Sequence, residues 1–245
     1  MSPFSFKKQP KIITFSAAHE GIEATNLPPI PATQDVVSWY KELPRFIGNV
    51  KYPSQGNKDI KLCSPFRDAL INGYFIRLPL DVEVIIKEDV PTINWNGSLP
   101  FEVVKLRGDI RESETQAYGM PVPMGCSPYM FAWHPFWGFT LPDGYSALIT
   151  GPLNRYDLPF TVTNGIIDSD KFGMSGSIPF FLKEGFEGII PRGTPIAQIF
   201  PYRREEWVKE MAPNHEDENR RLMILRDTYL YGYYAKFLRQ KKSFK

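Results

Sequence analysis

In the stretch Asn164-Gly165-Ile166-Ile167-Asp168-Ser169-Asp170, two carboxylates follow an apolar pair at a point where a strand would end and a turn begin. A carboxylate in that position can orient a water as a general base or accept a hydrogen bond from a sugar hydroxyl. The competing role is structural, because aspartate side chains cap turns by accepting from nearby backbone N–H groups. Asp168 and Asp170 are the candidate catalytic residues on the first reading and turn caps on the second. Trp133, His134 and Phe136, within an aromatic run over 129–139, and Phe172, just past the aspartates, are the candidate ligand-binding side chains. Such rings stack on a base or sugar, or pack against a core.

Other chemistry lacks its parts. His19, His134 and His215 have no second histidine or carboxylate at a spacing that makes a local metal site, so no metal is expected. The patterns GxxxxGK[ST], GxGxxG, HExxH and GxSxG are absent. Phosphate-loop, dinucleotide, zincin and serine-hydrolase readings therefore have no mechanical basis, and no cofactor is expected. Arg155, Arg192, Arg203 and Arg204 are scattered, and scattered arginines on a β protein form surface ion pairs of small energetic weight.

The elements that must position Asp168 and Asp170 lie in 144–202. Short runs rich in Ile, Val, Thr and Phe (160–163, 177–182 and 196–200) alternate with Gly, Pro, Asn and Asp, which predicts several short strands joined by tight turns. Upstream, a short helix starts from Thr33 or Asp35 and stops at Pro44. A second enters at Ser64-Pro65 and exits at Gly73. Strands follow over 74–80 and 82–86, with Pro91 stopping the second and Asn96-Gly97 turning a hairpin. Aromatics and prolines mix over 115–143, which predicts an irregular stretch that covers the core, walls a pocket or forms an interface. Asn214 caps a long terminal helix with Glu216, Asp217 and Glu218 in its first turn. Its apolar stripe runs through Leu222, Leu225, Tyr229, Tyr233 and Phe237.

Gly165-Ile166-Ile167-Asp168-Ser169-Asp170, followed by Gly193-Thr194-Pro195-Ile196-Ala197-Gln198-Ile199, resembles the third and fourth motifs of trimeric dUTPases and dCTP deaminases. The resemblance implies a β-clip core, a trimer and, on hydrolysis, Asp168 as the base. The phosphate-binding Arg-Ser-Ser of that family is replaced by Gly151-Pro152-Leu153-Asn154-Arg155, in which proline removes an N–H that a phosphate would need. The tyrosine that follows Ser-Asp in the family is Lys171 here, unless a one-residue insertion lets Phe172 take its place. Trp39-Tyr40-Lys41-Glu42-Leu43-Pro44 and Ile60-Lys61-Leu62-Cys63-Ser64-Pro65-Phe66-Arg67-Asp68-Ala69, leading to Gly73-Tyr74, together with the segment 144–202 resemble uncharacterised proteins of tailed phages and bacteria.

The chain of 245 residues is 42% hydrophobic and 14% aromatic, enough for a substantial folded core. Its 29 basic and 27 acidic residues nearly balance, which argues against general nucleic-acid or membrane-surface binding. No apolar run approaches the roughly 20 residues that cross a bilayer, and Cys63 and Cys126 suit reduced thiols. The expected location is cytoplasmic, or the virion if the chain is phage-encoded. The expected fold class is mainly β: an extended arm over 1–34, a β-rich core over 35–205 with the dUTPase-like segment 144–202, and a helical extension over 206–245. The expected function is that of a non-enzymatic structural or interaction protein that forms a homo-oligomer, a trimer by the resemblance, and contacts other virion proteins. The alternative is a nucleotide- or sugar-binding enzyme with Asp168 as general base.

Overall fold

The computed structural model describes residues 10–18, 20–23, 27–48, 51, 54–95, 102–134, 137–173, 176–213, 215–229 and 232–245. His19, the turn pair Asn96-Gly97, Phe136 and the helix cap Asn214 lie outside them. The described strands are β1 (Thr14–Ala17), β2 (Ile30–Pro31), β3 (Tyr74–Arg77), β4 (Val82–Lys87), β5 (Val90–Trp95), β6 (Val104–Asp109) and β7 (Cys126–Trp133). They continue as β8 (Trp137–Thr140), β9 (Tyr145–Thr150), β10 (Phe160–Val162), β11 (Gly165–Ile167), β12 (Ile178–Lys183), β13 (Gly188–Ile190) and β14 (Pro195–Arg203). The helices are α1 (Glu20–Glu23), α2 (Ser38–Glu42), α3 (Ser64–Ile71) and α4 (Glu216–Thr228). The protein is mainly β, and its sheets are built from antiparallel pairs.

Two compact units divide the chain. The first comprises Met1–Pro29, Ile76–Gly151 and Leu158–Arg204, and the second comprises Ile30–Phe75, Pro152–Asp157 and Glu205–Lys245. In the first unit the strand orders are β10-β12-β7-β6, β11-β9-β14-β3 and β13-β4-β5, with β1 paired to β8. The sequence of β12 explains its central place. Phe180 and Phe181 are both buried, and neighbours on a strand point to opposite faces. Phe180 enters the large core with Phe131, Trp133 and Phe160, while Phe181 joins Ile110, Cys126 and Met130 in a smaller one.

Residues 115–143 are more regular than their composition suggests, because β7 and β8 both lie in them. Phe131 and Trp133 are buried core members of β7, and Pro121 and Pro123 precede the strand. Pro128 falls where the β7 register against β12 shifts, between the pairs Phe181↔Met130 and Lys183↔Cys126, a bulge that tolerates a missing N–H. Pro91 does not stop a strand either: it lies inside β5, at the edge of the β13-β4-β5 sheet, where no ladder partner needs its N–H. The turn of that hairpin is Glu88-Asp89, both residues in the left-handed region with φ 49° and 64°, as a primed turn requires.

In the second unit, α3 begins where Ser64-Pro65 predicts, and Gly73 at φ 77° releases the chain into β3. The buried Asp68 of α3 accepts from Arg239 Nη2 at 2.5 Å and Lys242 Nζ at 2.8 Å, while Tyr74 Oη donates to the Lys245 carbonyl at 3.3 Å. These bonds hold the last residues of the chain against α3 and the start of β3. Burial raises the Asp68 carboxyl, but the hydrogen bonds from Arg239 and Lys242 outweigh it and leave the group below its usual range. The terminal stripe is not one helix. The helix α4 ends at Thr228, Gly232 turns the chain at φ 88°, and a π-helical turn follows over Tyr234–Leu238. Tyr229, Tyr233 and Phe237 pack on one another with ring centroids 5.0–5.6 Å apart.

Candidate functional site

Three strand ends assemble the site. Strand β9 lies between β11 and β14, and the registers Ile167↔Ala147 and Tyr202↔Ser146 bring the residues beyond β11 and β14 up to the start of β9. Asp168 follows β11, Arg204 follows β14, and Ser146 sits buried between them. The backbone N–H of Arg204 donates to the Gly144 carbonyl at 2.9 Å, which fixes where its side chain starts.

The side chains form one cluster. Ser146 Oγ donates to Asp168 Oδ1 at 2.5 Å. Arg204 Nη1 donates to Asp170 Oδ1 at 2.9 Å, Ser146 Oγ at 3.1 Å, Asp168 Oδ1 at 3.3 Å and the Tyr145 carbonyl at 3.0 Å. Arg204 Nη2 closes a second bond to Asp170 Oδ2, making the contact a two-pronged guanidinium–carboxylate pair. Asp170 Oδ2 also accepts from the Gly144 N–H at 2.8 Å.

The two carboxylates differ in exposure. The Asp170 side chain is 0% exposed and the Asp168 side chain 63% exposed. The Arg204 fork holds the Asp170 carboxyl well below the usual carboxylate range, the Gly144 N–H pulls the same way, and burial opposes both. The same pair pushes the Arg204 guanidinium up. Asp170 is thus a fixed anion that joins two distant segments rather than a cap of its own turn. The turn itself is closed by main chain, with Lys171 N and Phe172 N both donating to the Asp168 carbonyl at 3.0 Å. Beside it, Lys171 Nζ meets Asp143 Oδ1 at 2.6 Å. Asp168 Oδ2 has no hydrogen-bond partner among the described residues.

The aromatic candidates lie in different surroundings. Trp133 is fully buried and stacks on Phe180 with centroids 4.0 Å apart and planes 6° from parallel. Its Nε1 has no hydrogen-bond partner among the described residues, so the indole contributes through its faces. His134 is half-buried, its Nε2 3.8 Å from Glu102 Oε2. Burial lowers its pKa, Glu102 opposes that, and Arg107 and Lys105 add to it. Phe172 is exposed.

In the segment 151–155, Pro152 is buried and Arg155 is committed to Asp157 through bonds of 2.8–3.1 Å. Among the described residues no group of His, Cys, Asp and Glu could hold a metal ion, and no helix is long and apolar enough to cross a membrane. Sequence reasoning singled out both aspartates but missed Ser146 and gave Arg204 no special role. Their signal is the strand register, which periodicity does not carry.

No protein-family profile matches the chain, and no curated protein matches it. Among solved structures, a mutant dUTPase from phage phi11 of S. aureus is similar over 84% of this chain and 99% of that one, at 11% identity and a TM-score of 0.32. A likeness that slight transfers no residue roles, and the cluster is read from its own geometry.

Proposed function

We propose that the chain is a non-enzymatic structural or interaction protein that assembles with further copies of itself through its C-terminal segment. One observation carries this reading: residues 205–213 are exposed without a break, with Trp207 86%, Val208 86% and Met211 80% exposed. Apolar side chains grouped this way favour a protein surface over water. The helix that follows points the same way. It has 13 residues, none of them buried, and Leu222, Met223 and Ile224 are exposed. An isolated helix of that length is marginal in water, and most helices draw their stability from an apolar face packed on something else.

The Asp168–Ser146–Arg204–Asp170 cluster fits this role as a clasp that ties the ends of β9, β11 and β14. The resemblance of the chain as a whole to tailed-phage proteins makes a virion the assembly we favour, with a trimer as the homo-oligomer the β-clip motifs suggest. Light scattering on the full chain tests the proposal. We expect a mass that is a multiple of 28.2 kDa and, for Trp207→Asp with Met211→Asp, a folded monomer. A wild type that is monomeric at about 100 μM, well above the micromolar range in which modest interfaces already form, would overturn self-assembly. If the chain binds only when other particle proteins are added, the partner is a different molecule.

A second reading rests on Asp168 alone, whose exposed carboxylate accepts a short bond from Ser146. In that reading Asp168 is the general base of a nucleotide- or sugar-binding enzyme. A rise in Tm with a deoxynucleotide or nucleotide sugar, lost in Asp168→Asn, would favour it over the clasp.

A further inference from the structure

A groove of about 720 Å³ opens on the first unit, and no residue of the clasp lines it. Its floor is apolar: Met130 is buried, and Met120 packs on the small core of Ile110, Cys126 and Phe181. Its walls carry Arg107, Tyr118, Thr163 and Ser177. Arg107 is there because β6 bulges. The registers Leu106↔Phe131 and Gly108↔Met130 leave Arg107 as the extra residue of the strand, and a bulge re-aims such a side chain. Gly108 makes the bulge possible, at φ +109° and with Thr115 Cγ2 only 2.6 Å from where a Cβ would stand.

The re-aimed guanidinium reaches past β7 and donates from Nη2 to Ser177 Oγ at 2.8 Å. Arg107 has no carboxylate partner in a hydrogen bond or ion pair among the described residues. Thr163 is held by its N–H bond to the Pro179 carbonyl at 2.8 Å, and Tyr118 is 61% exposed. Among the described residues the groove therefore offers a guanidinium without a carboxylate partner, two hydroxyls, an exposed tyrosine and two methionines. A planar guanidinium favours a carboxylate or phosphate, an aromatic ring favours another ring, and methionine adapts to apolar bodies of varied shape.

We propose that this groove binds a small anion carried on an apolar ring, the anionic group at Arg107 and Ser177 and the ring between Tyr118 and the methionines. The site is independent of the assembly proposed above, and a failure of either leaves the other standing. The test is a titration of the full chain with phenyl phosphate and with benzoate, read from the methyl resonances of Met120 and Met130. Benzyl alcohol, which has a ring but no charge, and inorganic phosphate, which has charge but no ring, serve as controls.

At least one of the two aryl anions should shift both methyls saturably, and the two controls should bind about 10-fold more weakly or worse. Arg107→Gln should weaken the aryl anion by about 10-fold or more, with Arg107→Lys in between because it keeps the charge and loses the fork. Tyr118→Ala should weaken it without altering the spectrum of the core. Unmoved methyls up to about 10 mM of both aryl anions, beyond the weakest affinity a specific site of this size should show, would overturn the proposal. So would equal affinity for benzyl alcohol, or unchanged binding in a folded Arg107→Gln.

Discussion

Phe180→Ala is expected to lower the stability of the protein by about 4 kcal/mol, the size typical of deleting a fully buried phenyl ring. The ring is 0% exposed and lies parallel to Trp133 at 4.0 Å, with Phe131 at 5.7 Å and Phe160 at 5.8 Å. Four aromatic side chains share this contact, so the cavity cannot close by the movement of one neighbour, and the cost belongs at the upper part of the range. Native domains hold only about 5–15 kcal/mol in total, so one substitution removes a large part of it. For a chain of this length the Tm should fall by roughly 8–16 °C. Phe172→Ala, at an exposed ring, should cost under about 0.5 kcal/mol. A small loss in Phe180→Ala on urea unfolding would mean that the core is not organised around this stack.

Arg204→Ala is the second large effect, and pH reveals its cause. Removing the guanidinium takes away both prongs of the pair that holds Asp170 and leaves the Gly144 N–H as its remaining hydrogen-bond donor, so the carboxylate loses its strongest interaction. The Asp170 carboxyl in the folded protein lies below its unfolded value, so its contribution to stability is full above about pH 4 and is lost as the pH falls further. In Arg204→Ala the carboxyl loses the partner that depresses it and takes up a proton more readily. The Tm gap between wild type and variant should therefore be several degrees at pH 7, hold down to about pH 4 and narrow as the pH falls below it. A gap that stays constant over that range would show that Arg204 acts by packing alone. Asp168→Asn, at an exposed carboxylate that Arg204 touches at 3.3 Å, should move the Tm far less.

How much of this was legible in the sequence depends on how local each signal is. The strands of 144–202 announce themselves through alternating apolar residues and turn residues, and Ser64-Pro65 marks the start of α3 within a residue. The place of Asp168 and Asp170 at a strand end was equally legible. The role of Arg204 was not, because it depends on β9 lying between β11 and β14, a fact about registers across more than fifty residues of chain rather than about any window of it. Prolines disguised β7, since Pro121, Pro123 and Pro128 sit before it or in its bulge while Phe131 and Trp133 carry the strand. Glu88-Asp89 gave only a weak turn signal, because Asp89 suits a turn but Glu88 does not and no glycine supplies the second left-handed position. The terminal stripe concealed the break at Gly232, because the three- and four-residue spacing runs straight through it.

The proposal that the C-terminal segment works by meeting another copy of the chain is tested most directly by amide hydrogen exchange of Glu216–Thr228 at rising protein concentration. That helix buries no residue within its own chain. We predict slow exchange that becomes slower as concentration rises, and fast exchange in Trp207→Asp with Met211→Asp at every concentration. Protection that is the same at the lowest and highest concentrations, or exchange at the rate of an unfolded peptide throughout, would contradict the account.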